Sequence, residues 1–316
     1  MKGAPPLVSY YKELFPYLKK VGATGLLIEY EDMFPYSGPI KNITAFNAYT
    51  QSDIKTILEY ADANGLEVIP LIQTFGHFEF ILKLEQYRGL REVDKYPQVL
   101  CPSHSRTLPL IYKMIDQILE LHPKSKYIHI GCDEVYYIGE CDRCAKKIIE
   151  NHWKSSQLFL NHVKTIAEYV NQTYSKVRPI VWDDMFQKTE EELILEFKIP
   201  DLVDIMVWKY VTDVSNFITD DLLQKYAKIF KNMWIASAFK GATGPDQMVT
   251  DARYHLANHV SWMDIVSRWK HEIEFKGIAI TGWQRYDHFS VLCELLPVGI
   301  PSLTVSLQFL IGAKEG

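Results

Sequence analysis

Short runs of apolar, often β-branched residues alternate along this chain with longer stretches whose apolar positions recur every three to four residues. The first pattern reads as buried strand and the second as amphipathic helix. Seven runs read as strands: residues 24–30, 66–73, 126–132, 178–184, 202–208, 233–239 and 277–283. Helical periodicity fills residues 9–22, 52–65, 108–123, 155–172 and 259–275. Gly22 and Asn64-Gly65 read as helix stops, and Ser52 as an N-cap. Strand alternating with helix predicts βα units around a parallel sheet.

The 316 residues suffice for one α/β domain of the (β/α)8 TIM type, which takes roughly 250 residues. No linker, repeat or low-complexity stretch divides the chain, so residues 1–316 read as a single barrel domain. The strands number seven and the chain opens on a helix, so this barrel is expected to lack its first strand, which would lie upstream of Met1. A barrel with a gap and an open doubly wound sheet are the alternatives.

In such a barrel, chemistry sits at the C-terminal ends of the strands. Asp133-Glu134 follows the strand "KYIHIGC", Trp182-Asp183-Asp184 ends the next, and Trp208 ends the one after. The last strand runs into Trp283, Arg285, Asp287 and His288, and "QTFGHFEF" places His77 and Glu79 beyond the second. A single tryptophan at a strand end is ordinary core packing. Three at corresponding positions, each beside a polar residue, suit the flat C–H faces of a sugar. Adjacent acids repel, so Asp133-Glu134 reads as a catalytic pair. The alternative is that the pair caps and opens a helix, where the dipole favours acids.

Charge and cysteine content narrow the field. A net charge of -5 supplies no basic field to steer nucleic acid or anionic membrane, so neither is an expected partner. The five cysteines form no disulfide framework, which points to a reducing compartment. No secretory leader precedes the first helix, so a cytoplasmic location is expected. Cys141 and Cys144 have zinc-ligand spacing but no second pair downstream, so no metal site is expected there. A homodimer is left open.

"HIGCDEVYY" resembles the Asp-Glu motif of glycoside hydrolase family 20, the β-N-acetylhexosaminidases, and "LIQTFGH" is similar to that family's Gly-His motif. "LIEYEDMFPY", "IVWDDM", "SAFKGATGP" and "TGWQRYDHFSVLCELLPVG" resemble the nucleocytoplasmic branch of the family, over essentially the whole chain. The resemblance implies that Asp133 holds and polarises the 2-acetamido group of the substrate and that Glu134 is the general acid/base. It makes His77 a pocket residue and Trp182, Trp208 and Trp283 walls around the sugar, with Asp183 beside them. The family's usual Trp-x-Glu reads Trp283-Gln284-Arg285 here, which passes the sugar-hydroxyl contact to Arg285 or Asp287. The resemblance implies that the substrate-binding basic residue of the family's first strand is missing here or reduced to Lys2.

The implied reaction is exo-hydrolysis of terminal β-linked N-acetylgalactosamine or N-acetylglucosamine from glycoconjugates, with retention and without metal or cofactor. Adjacent acids cannot easily flank a scissile bond, which favours attack by the acetamido oxygen of the substrate itself. Burial and ionised Asp133 are expected to raise the pKa of Glu134. A metal-dependent barrel hydrolase using His77, His129, Asp133, Asp183 and His288 is one rival. A non-catalytic carbohydrate-binding barrel is the other.

Overall fold

The computed structural model describes residues 1 and 3–315, so Lys2 lies outside the described residues. Nine strands occur among the described residues: β1 Gly25–Glu29, β2 Glu67–Leu71, β3 Arg91–Val93, β4 Tyr96–Leu100, β5 Tyr127–His129, β6 Arg178–Trp182, β7 Asp204–Trp208, β8 Asn232–Lys240 and β9 Glu274–Gly282. The hydrogen-bonded order is β1-β2-β5-β6-β7-β8-β9, with β3-β4 as a separate hairpin. Pairing is parallel at β2–β5, β5–β6, β7–β8 and β8–β9. Strand order follows chain order once the hairpin is set aside, the winding of a TIM-type sheet. All seven expected strands are present, and β1 and β9 stand at the two ends of the order.

Eleven α-helices accompany them among the described residues: α1 Val8–Lys20, α2 Gln51–Ala63, α3 Glu79–Leu82, α4 Thr107–Leu121, α5 Asp142–Asn151, α6 Ser155–Thr173, α7 Glu191–Glu196, α8 Ile199–Leu202, α9 Asp220–Ile229, α10 Ala252–Trp269 and α11 Leu296–Glu315. None is long and apolar enough to cross a membrane. Helix α4 shows why the periodicity was legible. Leu110, Ile111, Met114, Ile115 and Ile118 are buried at spacings of three and four, each worth roughly 1.5–3 kcal/mol of burial.

Boundaries were less legible. Helix α2 begins at Gln51, so Ser52 lies inside it rather than capping it. Helix α10 begins seven residues before the expected start because the Asp251 carboxylate accepts from the Arg253 and Tyr254 amides. Residues 274–275, expected at that helix's end, open β9 instead. The segment after Asp133-Glu134 is not helical until Asp142, so the acid pair caps no helix. The β3–β4 hairpin was missed altogether: its strands of three and five residues carry no sustained alternation.

The chain divides into two compact units. One comprises Met1–Leu27, Ser52–Val68 and Ile205–Gly316, and the other Ile28–Gln51 and Ile69–Asp204. In the first, α10 turns buried polar groups to the end of β7. Asn258 Nδ2 donates to the carbonyls of Lys209 and Val211 at 3.0 and 2.6 Å, and Trp262 Nε1 to Lys209 at 2.9 Å. In the second, β5 and β6 run in register from Tyr127↔Arg178 to His129↔Ile180. Arg178 is fixed by Asp204 and by the carbonyls of Pro200, Asp201 and Val203.

Candidate active site

Strand β5 stops after three residues because the backbone turns left-handed. Gly131, Cys132 and Glu134 have φ of 67°, 70° and 51°, and facing them His77 has φ of 48°. Non-glycine residues held this way cost of order 1–3 kcal/mol each and concentrate at functional sites. The packing over-determines the turn. A Cβ on Gly131 would stand 2.0 Å from Gln73 Oε1, and one on Gly76 2.1 Å from the Asp133 carbonyl oxygen. Thr74 Oγ1 donates to the Ile130 carbonyl at 2.7 Å.

The turn aims both acids at one imidazole. His77 Nε2 lies 3.0 Å from Glu134 Oε2 and 3.4 Å from Asp133 Oδ2. The His77 and Asp133 side chains are 8% and 15% exposed and that of Glu134 31%, so the acid/base candidate is the group that solvent reaches. Tyr136 Oη donates to Glu134 Oε1 at 2.6 Å, and the Glu134 amide donates to Asp184 Oδ2 at 2.9 Å.

These donors reverse one expectation. The Glu134 carboxyl is held below its usual range, first by the hydrogen bond from His77 and then by that from Tyr136, against the opposing effects of burial and Asp133. Donors to the ionised form outweigh desolvation when two of them are this close. Tyr136 is pushed up, by burial first and by Glu134 second.

The remaining candidates of this unit sit at the end of β6. Trp182 is buried and packs against His129 with ring centroids 4.3 Å apart. His129 Nδ1 accepts from the Gly131 amide, and burial pushes its pKa down to about 3, so it stays neutral. Asp183 is buried and accepts from Gln187 Nε2 at 2.9 Å; the acid that reaches the Glu134 backbone is its neighbour Asp184. The sequence did not separate the two, since side chains of successive residues diverge and only the turn decides which points where.

In the other unit, Trp208 ends β7 with Tyr210 5.2 Å away. The Trp283 carbonyl accepts from Lys240 Nζ at 2.6 Å, and Gly241 packs so closely on it that a Cβ would meet that oxygen at 2.0 Å. Burial pushes the Lys240 pKa down to about 8. Lys240 was not anticipated: a lysine at the end of a nine-residue strand gives no sign that it is fully buried. Arg285 pairs with His288 Nδ1 at 2.9 Å. The Asp287 carboxylate accepts from the Phe289 and Ser290 amides at 2.8 and 2.9 Å and from Ser290 Oγ at 2.7 Å. It closes its own turn.

A parallel sheet wound in chain order, with two adjacent acids converging on a histidine beyond one strand, defines a TIM-type sheet with a carboxylate site at a strand's C-terminal end. The chain belongs to glycosyl hydrolase family 20: the family's catalytic-domain profile matches residues 12–227. It is 48% identical over 312 residues to human (Homo sapiens) hexosaminidase D, covering 98% of this chain and 64% of that protein. To bovine (Bos taurus) hexosaminidase D it is 46% identical, covering 98% and 90%. The crystal structure of a β-N-acetylhexosaminidase from Bacteroides fragilis NCTC 9343 superposes with a TM-score of 0.66 at 18% identity, covering 96% of this chain and 63% of that one. The chain thus spans just under two thirds of the human relative and of that structure.

Proposed function

We propose that the chain is an exo-acting β-N-acetylhexosaminidase, removing terminal β-linked N-acetylgalactosamine or N-acetylglucosamine from glycoconjugates with retention of configuration. One observation carries the mechanism: Asp133 and Glu134 converge on the same nitrogen of His77. Retaining glycosidases that use a protein nucleophile place two carboxyls on opposite sides of the scissile bond, about 5–5.5 Å apart. Two acids gathered on one imidazole, from adjacent positions of one turn, do not bracket a sugar in that way.

The nucleophile is then the 2-acetamido oxygen of the substrate. It attacks the anomeric carbon as the glycosidic C–O bond breaks, and the leaving oxygen takes a proton from Glu134. Asp133 accepts the amide N–H and balances the charge of the oxazolinium. Water next attacks the anomeric carbon, giving its proton to Glu134 and reopening the ring. His77 and Tyr136 orient Glu134, and bringing sugar over this partly exposed carboxyl shifts it toward the protonated form that the first step needs. Trp182, in the same unit as the acids, is proposed as an apolar surface for the acetamido group, with Asp183 supporting it; for Trp208, Trp283 and Arg285 the proposal keeps the sugar-binding role that the resemblance implies.

The whole chain is proposed to act as one catalytic domain in the cytoplasm and nucleus, without nucleic-acid or membrane partners. Its five free cysteines support a reducing compartment. The test is hydrolysis of chromogenic β-N-acetylglucosaminide, β-N-acetylgalactosaminide and plain β-glucoside, with the product anomer read by NMR. Turnover of the two acetamido sugars alone, with retention, is expected. Inversion, or equal turnover of the plain glucoside, sinks the reading. Fractionation of cells expressing the chain checks the location.

A further inference from the structure

The segment that begins at the acid pair ends at a second cluster of chemistry-bearing residues. Cys141 is the N-cap of α5, Cys144 lies in its first turn, Cys101 follows β4, and Glu92 lies in β3. Cys101 Sγ is 3.4 Å from Cys141 Sγ and 3.6 Å from Cys144 Sγ, and Glu92 Oε2 is 3.2 and 3.1 Å from Cys141 and Cys144 Sγ. The four donor atoms lie within 4.8 Å of one another. Sequence spacing concealed this, because the third cysteine comes forty residues before the pair rather than after it.

We propose that Glu92, Cys101, Cys141 and Cys144 bind one structural zinc ion. A tetrahedron with Zn–S bonds of about 2.3 Å and a Zn–O bond of about 2.0 Å has edges of roughly 3.5–3.8 Å. The observed separations are within a few tenths of an ångström of that. Three thiolates select a soft or borderline ion, and the carboxylate argues for zinc over copper(I). Four protein donors close the coordination sphere, as structural zinc sites do.

The surroundings support a ligand role. Cys101, Cys144 and Glu92 are buried, at 0%, 0% and 3% exposure. Thiols are weak hydrogen-bond donors, and a buried carboxylate facing them gains little compensation for its lost hydration. A dication among the four supplies it. The outer contacts are those a charged site needs: Glu92 Oε1 accepts from the Glu140 and Cys141 amides at 2.7 and 3.1 Å, which turns Oε2 inward. The Cys144 amide donates to Cys141 Sγ at 3.4 Å, and Ser103 Oγ pairs with Cys144 Sγ at 3.2 Å. Zinc here would pin the β3–β4 hairpin to the start of α5, and so fix the far end of the segment that carries Asp133 and Glu134.

The test is metal analysis of the full chain purified after equilibration with zinc and dialysis. About one zinc per chain is expected, retained in Cys293→Ser and lost in Cys101→Ser and Cys144→Ser. Because those variants risk misfolding, the wild-type chain is also loaded with cobalt(II), which should show thiolate-to-metal charge transfer and tetrahedral d–d bands. Chelation of the wild-type chain should lower its Tm, with recovery on zinc addition. A wild-type chain that holds no zinc, zinc that survives both substitutions, a cobalt spectrum without thiolate bands, or a Cys101–Cys141 disulfide in place of metal would each overturn the proposal. None of these readouts depends on hexosaminidase activity.

Discussion

The ends of β5 and β9 look alike in sequence and differ in what their acids do. After β9, the Asp287 carboxylate accepts from the Phe289 and Ser290 amides and the Ser290 hydroxyl, all within three residues. After β5, Glu134 is met by a histidine 57 positions upstream in the chain and, through its amide, by an aspartate 50 positions downstream. A carboxylate met by near neighbours stabilises a turn. One assembled from distant groups on a strained backbone stays partly open to solvent and can exchange a proton with a substrate. Composition does not distinguish the two cases; the partners do.

That contrast can be broken by substitution. Glu134→Gln keeps the side chain's size but removes the proton donor, so kcat on a chromogenic hexosaminide should fall about 10²–10⁴-fold. A loss under tenfold would place the acid/base elsewhere. Gly76→Ala comes next. Its Cβ would clash with the Asp133 carbonyl, so both the turn and the acid pair must shift. Denaturant unfolding should show a loss of about 1–3 kcal/mol, accompanied by a drop in kcat; an unaffected kcat would mean that the acids tolerate displacement.

His77→Gln sharpens the comparison through pH. Imidazole hydrogen bonding is the first cause of the lowered Glu134 pKa, so removing it raises that pKa. The general acid works protonated and is lost as pH rises through its pKa. The alkaline limb of kcat/KM should therefore move to higher pH in the variant. A limb that moves to lower pH would contradict the assigned contact. The smallest effect is expected for Asp287→Ala, which deletes turn hydrogen bonds worth about 1 kcal/mol net each. Its Tm should fall while kcat/KM stays within a few-fold of the parent. A loss comparable to that of Glu134→Gln would return Asp287 to the sugar-binding role read from the sequence.

What the chain spelled out by itself is what depends on near neighbours. Apolar periodicity placed all seven sheet strands and the main helices, because burial of one face repeats every two or 3.6 residues whatever lies opposite. The "DE" at the end of β5 stood out for the same reason: like charges side by side are unfavourable in any context. Tertiary structure decided everything that joins distant segments. It directed Asp184 rather than Asp183 to the Glu134 amide, turned Glu134 acidic where adjacency to Asp133 suggested the reverse, and brought Cys101 and Glu92 to a pair of cysteines that looked isolated. Direction at a left-handed turn, and proximity across forty residues of chain, are set by packing that no local pattern encodes.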